Sequence, residues 1–205
     1  YSPAVLITNG VDLPERGAAI TRTPARSDGS LRLLYLGRLH PIKGLEHLIE
    51  ATRALPHTTL TIAGEGDAAY TRELHRLAHE RVRFTGPVDG PSKEAVFAEA
   101  DVFAMPSHSE NFCMAIAEAL ARELPVIASK GTPWRQVETE GCGLWVDNSP
   151  ASLAFAIRAI ASMPLAEMGR RGRQLVESQY SWSSRALEMT RLYEHLLSQE
   201  KGAPQ

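Results

Sequence analysis

The sequence predicts an α/β fold: a doubly wound, Rossmann-like parallel sheet of about six strands, with helices on both faces. Two observations carry this. Strand-length apolar runs recur that are continuous rather than alternating, as strands covered on both faces are. Segments of helical length and period follow these runs, and that alternation implies parallel strands joined by crossover helices.

The elements follow in order. "LRLLYLG" (31–37) is apolar apart from Arg32 and reads as the first strand. A helix over 44–55 follows, then "TLTIAGEG" (59–66), a helix over 68–80, "RVRFTG" (81–86) and a helix over 92–99. "DVFAMPS" (101–107) leads to a helix over 112–122, and "PVIASKG" (125–131) to a short one over 134–138. "GLWVD" (143–147) is the last strand, with helices over 150–162, 165–178 and 183–198 behind it. Trp182 and Tyr193 are expected to anchor the last helix, and Trp134 and Trp145 to pack in the interior. The polar stretch 20–30, with Pro and Gly, reads as a loop. The chain divides into 1–20 (interdomain strand and linker), 21–197 (one Rossmann-like domain) and a flexible tail, 198–205.

Composition narrows the function. The 205 residues carry a net charge of -2, with 43% hydrophobic and 22% charged residues. That is ordinary for a globular domain and argues against a nucleic-acid partner held by phosphate neutralisation. Two cysteines, Cys113 and Cys142, make no disulfide framework and suit a reducing cytoplasm. No apolar run is long enough to span a membrane. The chain opens on Tyr1, which reads as a piece of a longer protein.

The chemistry gathers where strands end. In a doubly wound sheet every strand's carboxyl end lies on one rim, and ligands bind there at the switch point. The first strand exits through "GRLHPIKG" (37–44). Gly37 permits a tight turn, and Arg38 and Lys43 flank a loop that opens a helix. Two cations beside a helix amino terminus suit a diphosphate. The fourth strand exits through "MPSHSENFCM" (105–114), where Ser109 or Asn111 can cap the next helix. Glu110 stands at that helix mouth. Glu118 stands about 12 Å further along, at 1.5 Å per residue, within an apolar run. An ionised carboxylate there needs a partner, and a hydroxyl-rich ligand running from Glu118 to Glu110, phosphates between, would supply one.

Competing patterns are weaker. His75 and His79 have zinc-like i,i+4 spacing but no evident third ligand. Cys113 has no base partner to make it a nucleophile, and His108 reads as a loop residue. "GEGDAA" (64–69) fits the dinucleotide pattern, but after the second strand rather than the first.

The segments "NGVD", "GRLHPIKG", "GEG", "FTGPV", "PSHSENFCMAIAEAL", "PVIASKGTPW" and "EGCGLWVD", in this order, resemble the carboxyl-terminal domain of the GT4 (group 1) family of retaining glycosyltransferases, in particular members that build bacterial surface polysaccharides. The resemblance spans about 7–197 and implies one half of a GT-B fold, with the amino-terminal acceptor lobe absent. It implies a retaining, hexosyl-type, metal-independent transferase with no cofactor, using a nucleotide diphosphate sugar (UDP, GDP or ADP type) as donor. Arg38 and Lys43 would hold the diphosphate and Glu110 the sugar, as catalytic groups. Gly37, Val88, Phe112, Cys113, Met114 and Glu118 would bind the nucleotide, with Val88 against the base and Glu118 on the ribose. Glu110→Gln is then expected to leave plain nucleoside diphosphate binding intact. The implied acceptor is a glycan or lipid-linked hydroxyl, used in the cytoplasm or at the inner face of the membrane through peripheral association. A non-catalytic nucleotide-binding module is the alternative, and a sugar epimerase of similar shape a lesser one. Cys113 departs from the family, which has Gly there, and so does Gln136, where Glu is frequent.

Overall fold

The computed structural model describes residues 5–14 and 30–201. Six parallel strands, β1 (Leu31–Leu36), β2 (Thr58–Ala63), β3 (Val82–Gly86), β4 (Val102–Met105), β5 (Val126–Ser129) and β6 (Gly143–Val146), form one sheet in the order β3-β2-β1-β4-β5-β6. The sequence reading of the sheet therefore holds, and β1 and β4 are neighbours at the switch point. All residues of β4 and β5 are buried, which explains their uninterrupted apolar sequences.

The helices are α1 (Leu45–Arg53), α2 (Ala68–Leu77), α3 (Gly90–Glu99), α4 (Met114–Ala121), α5 (Gln136–Thr139), α6 (Pro150–Ala161), α7 (Leu165–Gln179) and α8 (Trp182–Lys201). A 3-10 turn, Pro41–Lys43, precedes α1. Helix α1 packs on α2 and α6, and α4 packs on α7. Leu33, Leu34, Tyr35, Phe97, Phe103, Ile127 and Trp134 are among the buried residues of the core.

The segment 9–14 is tied to the domain rather than hanging from it. Val11 bridges Ser181, and its amide donates to the Tyr180 carbonyl at 2.8 Å. The buried Arg173 of α7 donates to the carbonyls of Pro14 (2.8 Å) and Ala121 (2.5 Å) and pairs with Glu177. Trp182 lies against Gly10, where any Cβ would meet its ring at 2.5 Å.

Several expectations need correction. The last helix is not anchored by Tyr193, which is exposed, and Trp182 is more than half exposed while covering Gly10. Helix α8 runs to Lys201, into the segment expected as the tail. Residues 1–4, 15–29 and 202–205, which hold half of the expected linker, most of the expected loop over 20–30 and the end of the tail, lie outside the described residues.

Candidate functional site

The rim is built first by backbone contact between the β1 and β2 exits. A Cβ on Gly64 (φ +138°) would stand 1.9 Å from the Gly37 carbonyl oxygen. Leu39 is bonded on both sides to the next loop, its amide to the Glu65 carbonyl (2.9 Å) and its own carbonyl to the Asp67 amide (3.2 Å). The glycines of "GEGDAA" thus let two loops touch, which accounts for their spacing without a dinucleotide. Arg38 is carried out to solvent between these contacts, exposed. With Leu36, Gly37, Gly64, Pro87 and Val88 it lines a cavity of about 570 Å³.

Lys43 ends the 3-10 turn, and Gly44 (φ +60°) lets the chain swing into α1 close under the β4 exit, where a Cβ would meet the Pro106 carbonyl at 2.5 Å. This approach brings Lys43 onto Glu110, Nζ to Oε1 at 2.5 Å, with the two side chains only 16% and 11% exposed. The Ser107 hydroxyl donates to the same Oε1 at 2.6 Å, and the Glu110 amide donates to the Gly131 carbonyl at 2.9 Å. Asn148, beyond β6, braces the arrangement: its amide donates to the Pro106 carbonyl and its Oδ1 lies 3.3 Å from His47 Nδ1. Its amide nitrogen also lies 3.5 Å from His108 Nδ1. Ser107 and Asn148 could not be singled out from sequence, because their roles depend on loops that meet only in space.

Neither Ser109 nor Asn111 caps α4. The cap is Cys113, in the left-handed region at φ 69°, ψ 78°, without a side-chain capping bond. The loop before it is committed elsewhere: the His108 amide to Ile42, the Glu110 amide to Gly131, and the Phe112 carbonyl to the Trp134 indole. The backbone that Gly would accept freely is imposed here on a cysteine. Burial pushes the Cys113 thiol up to about 12, Glu110 adds to the rise, and Lys43 pulls the other way. The thiol is therefore protonated at neutral pH, which argues against a nucleophile. Asn9, Gly37, Lys43, Glu110, Phe112, Cys113 and Met114 share a cavity of about 350 Å³.

Glu118 lies one turn into α4, nearer the mouth than the even rise from Glu110 implied, because residues 110–113 are not helical. Its partner within the chain is Lys93 of α3, Nζ to Oε1 at 2.7 Å. A cation from a helix 25 positions earlier thus meets the carboxylate for which the sequence reading offered only a ligand as partner. Beside it, Arg122 grips Glu94 through Nε (2.9 Å) and Nη2 (2.5 Å), holding that carboxyl below its usual range. Gly10, Asp12, Lys93, Met114, Glu118 and Trp182 line a third cavity of about 180 Å³.

The three cavities adjoin. Leu36 and Gly37 belong to the first two, and Met114 to the second and third. They make one elongated trough along the carboxyl rim, with Arg38 and Val88 in one part, Lys43 and Glu110 in another, and Lys93 and Glu118 at an end. A separate cavity of about 480 Å³, around Arg32, Thr59, Arg81 and Arg83, reaches the start of β1 and the end of α3, and contains none of these groups. Among the described residues, no three or more His, Cys, Asp or Glu side chains converge as a metal site would require. His75 instead stacks on Phe84, with centroids 4.0 Å apart.

Comparisons with known proteins agree with this architecture. Residues 30–163 match the family model described as Glycosyl transferases group 1. The chain is 33% identical over 211 residues to the phosphatidyl-myo-inositol mannosyltransferase of Mycobacterium tuberculosis, covering 94% of the chain and 54% of that protein. Sucrose-phosphate synthase from Thermosynechococcus elongatus superposes with a TM-score of 0.80 at 30% identity, over 95% of this chain and 53% of that one. The Anabaena protein HepE, in complex with UDP-glucose, has the same fold at 22% identity, with a TM-score of 0.72 over 81% of this chain and 49% of its own. The chain spans about half the length of the curated relatives it matches.

Proposed function

The chain belongs to the group 1 glycosyl transferases, and from that membership we propose that it is the donor-binding half of a retaining enzyme. The reaction we infer moves a sugar from a nucleoside diphosphate sugar to a hydroxyl of a glycan or lipid-linked acceptor. The observation that carries this is the rim trough, in which cations and carboxylates alternate along an elongated space.

In this reading the diphosphate lies between Arg38 and Lys43. Arg38 offers a planar fork and Lys43 a point charge. The ammonium of Lys43 has three donors, so it can keep Glu110 while reaching a phosphate oxygen. Glu110 faces the sugar hydroxyls. Glu118, shared with Lys93, faces the ribose, and Val88 lies along the base. During transfer the bond from the anomeric carbon to the phosphate oxygen breaks, and the acceptor oxygen joins the same face of that carbon. The acceptor proton passes to the departing phosphate oxygen. Charge growing on that group is met by cations already in position. The part of the relatives' length that this chain does not match would present the acceptor.

Calorimetric titration of the chain with UDP, GDP, ADP and their sugars, with and without a chelator, tests the reading. Binding of at least one nucleoside diphosphate, unchanged by EDTA, is expected. Failure of all three to bind, or loss of binding on chelation, would refute the assignment of the diphosphate to these two cations.

A further inference from the structure

Tyr35 is the penultimate residue of β1, opposite Ile62 of β2, and is 0% exposed. A buried phenol needs a partner for its hydroxyl. That hydroxyl passes close beneath Gly37, 3.1 Å from where a Cβ would stand, and donates to the carbonyl of Arg38 at 2.9 Å.

The neighbours of Arg38 are held differently. The Gly37 amide donates to the Ala63 carbonyl at 3.0 Å, and Leu39 is bonded on both sides to the 65–67 loop. Residue 38 lies between these backbone anchors, and its own carbonyl is fixed from the interior by the phenol. Its exposed side chain has no ion pair or hydrogen bond among the described residues.

We propose that Tyr35 is a positioning residue for Arg38: its hydroxyl, buried under the β1 exit, fixes the peptide from which the guanidinium reaches the diphosphate. This rests on the reading of Arg38 as a phosphate ligand. A bidentate fork is effective only from a fixed base, since misplacement by an ångström forfeits much of its benefit. Burial also drives the phenol well above its ordinary pKa, so it remains a donor throughout the range in which the fold is used.

Tyr35→Phe removes one oxygen and keeps the ring that fills the core. The test is a thermodynamic cycle of Tyr35→Phe, Arg38→Ala and the double variant, each titrated with UDP, GDP and ADP and with the matching nucleosides. Tyr35→Phe is expected to weaken nucleoside diphosphate binding about two- to tenfold, the scale of one neutral hydrogen bond, while leaving nucleoside binding unchanged. In the Arg38→Ala background the same change is expected to add nothing. If Arg38→Ala weakens diphosphate binding and Tyr35→Phe does not, the positioning role is overturned and the phosphate assignment stands. Equal losses from Tyr35→Phe in both backgrounds overturn it too, because the phenol then acts on the fold as a whole. If Arg38→Ala itself leaves diphosphate affinity unchanged, the phosphate assignment fails and the inference fails with it.

Discussion

Glu110→Gln should make the chain bind a plain nucleoside diphosphate more tightly. The family resemblance by itself suggests no change, because it assigns Glu110 to the sugar. The structure adds that Glu110 holds Lys43 at 2.5 Å, with both side chains largely shielded from water. At that distance and an effective dielectric near 20, the gross attraction is about 7 kcal/mol. Desolvation of the two groups takes back most of it, leaving roughly 1.5–3 kcal/mol for a charge-assisted hydrogen bond. Gln keeps an oxygen in place but no charge on it, leaving the ammonium an ion–dipole bond of about 1 kcal/mol. A diphosphate arriving in the variant therefore finds a freer ammonium and no carboxylate beside it. The difference, about 0.5–2 kcal/mol, corresponds to roughly two- to thirtyfold in affinity. Calorimetry with UDP, GDP and ADP, followed by the matching nucleotide sugars, measures it. The intact donor should gain less, because the sugar loses a carboxylate acceptor, so discrimination in favour of the donor falls. Unchanged or weaker diphosphate binding in Glu110→Gln, beside a clear loss in Lys43→Ala, would refute the reasoning.

If it holds, the pair has a consequence for turnover. After transfer the product is a nucleoside diphosphate without its sugar. Glu110 then has no hydroxyls to hold and competes fully for Lys43, which weakens the grip on the product. On the proposed reading, the carboxylate that would help retain the donor would also help release what remains of it.

The sheet was legible because its central strands carry their burial in their composition. "VFAM" and "VIAS" are apolar at every position or nearly so, since both faces are covered. The rim residues Arg38, Lys43, Glu110 and Glu118 were legible by type and by their place after strands. Their pairing was not. Lys43 with Glu110 joins positions 67 apart, and Lys93 with Glu118 positions 25 apart. Such contacts are set by the winding of the sheet, which local pattern does not encode. The capping expectation failed for a related reason. Ser and Asn favour caps when the chain runs freely into a helix, but residues 108–112 are bonded across to Ile42, Gly131 and Trp134, and Cys113 is left to turn the corner. Tyr35 was hidden most completely: in sequence it is one more large residue of a buried strand, and only the fold shows that its hydroxyl reaches Arg38.

Two predictions remain. Glu118→Gln should weaken nucleoside and nucleoside diphosphate alike, by about tenfold if it loses a charged hydrogen bond to the ribose; a lower melting temperature with unchanged nucleoside affinity would make Glu118 only the structural partner of Lys93. The other concerns His79 and pH. The buried Thr52 hydroxyl donates to the Ile49 carbonyl at 2.8 Å, so towards His79 Nε2, 3.1 Å away, it can only accept. His79 must then carry its proton on Nε2 and leave Nδ1 as a lone pair. Nδ1 is buried and without a hydrogen-bond partner among the described residues. A second proton there would have no acceptor. Burial lowers the His79 pKa, and the nearby Arg81 lowers it further. The folded chain thus binds this proton less readily than the unfolded one, whose histidine titrates near 6.5. The contribution to stability is full above that pH and is lost as pH falls below it towards the folded value. His79→Gln keeps an N–H donor for Thr52 and does not titrate. Melting temperatures of both proteins from pH 7.5 to 5 should converge as the pH falls, the wild type losing more. A constant difference between them across that range would show that His79 is not the group responsible.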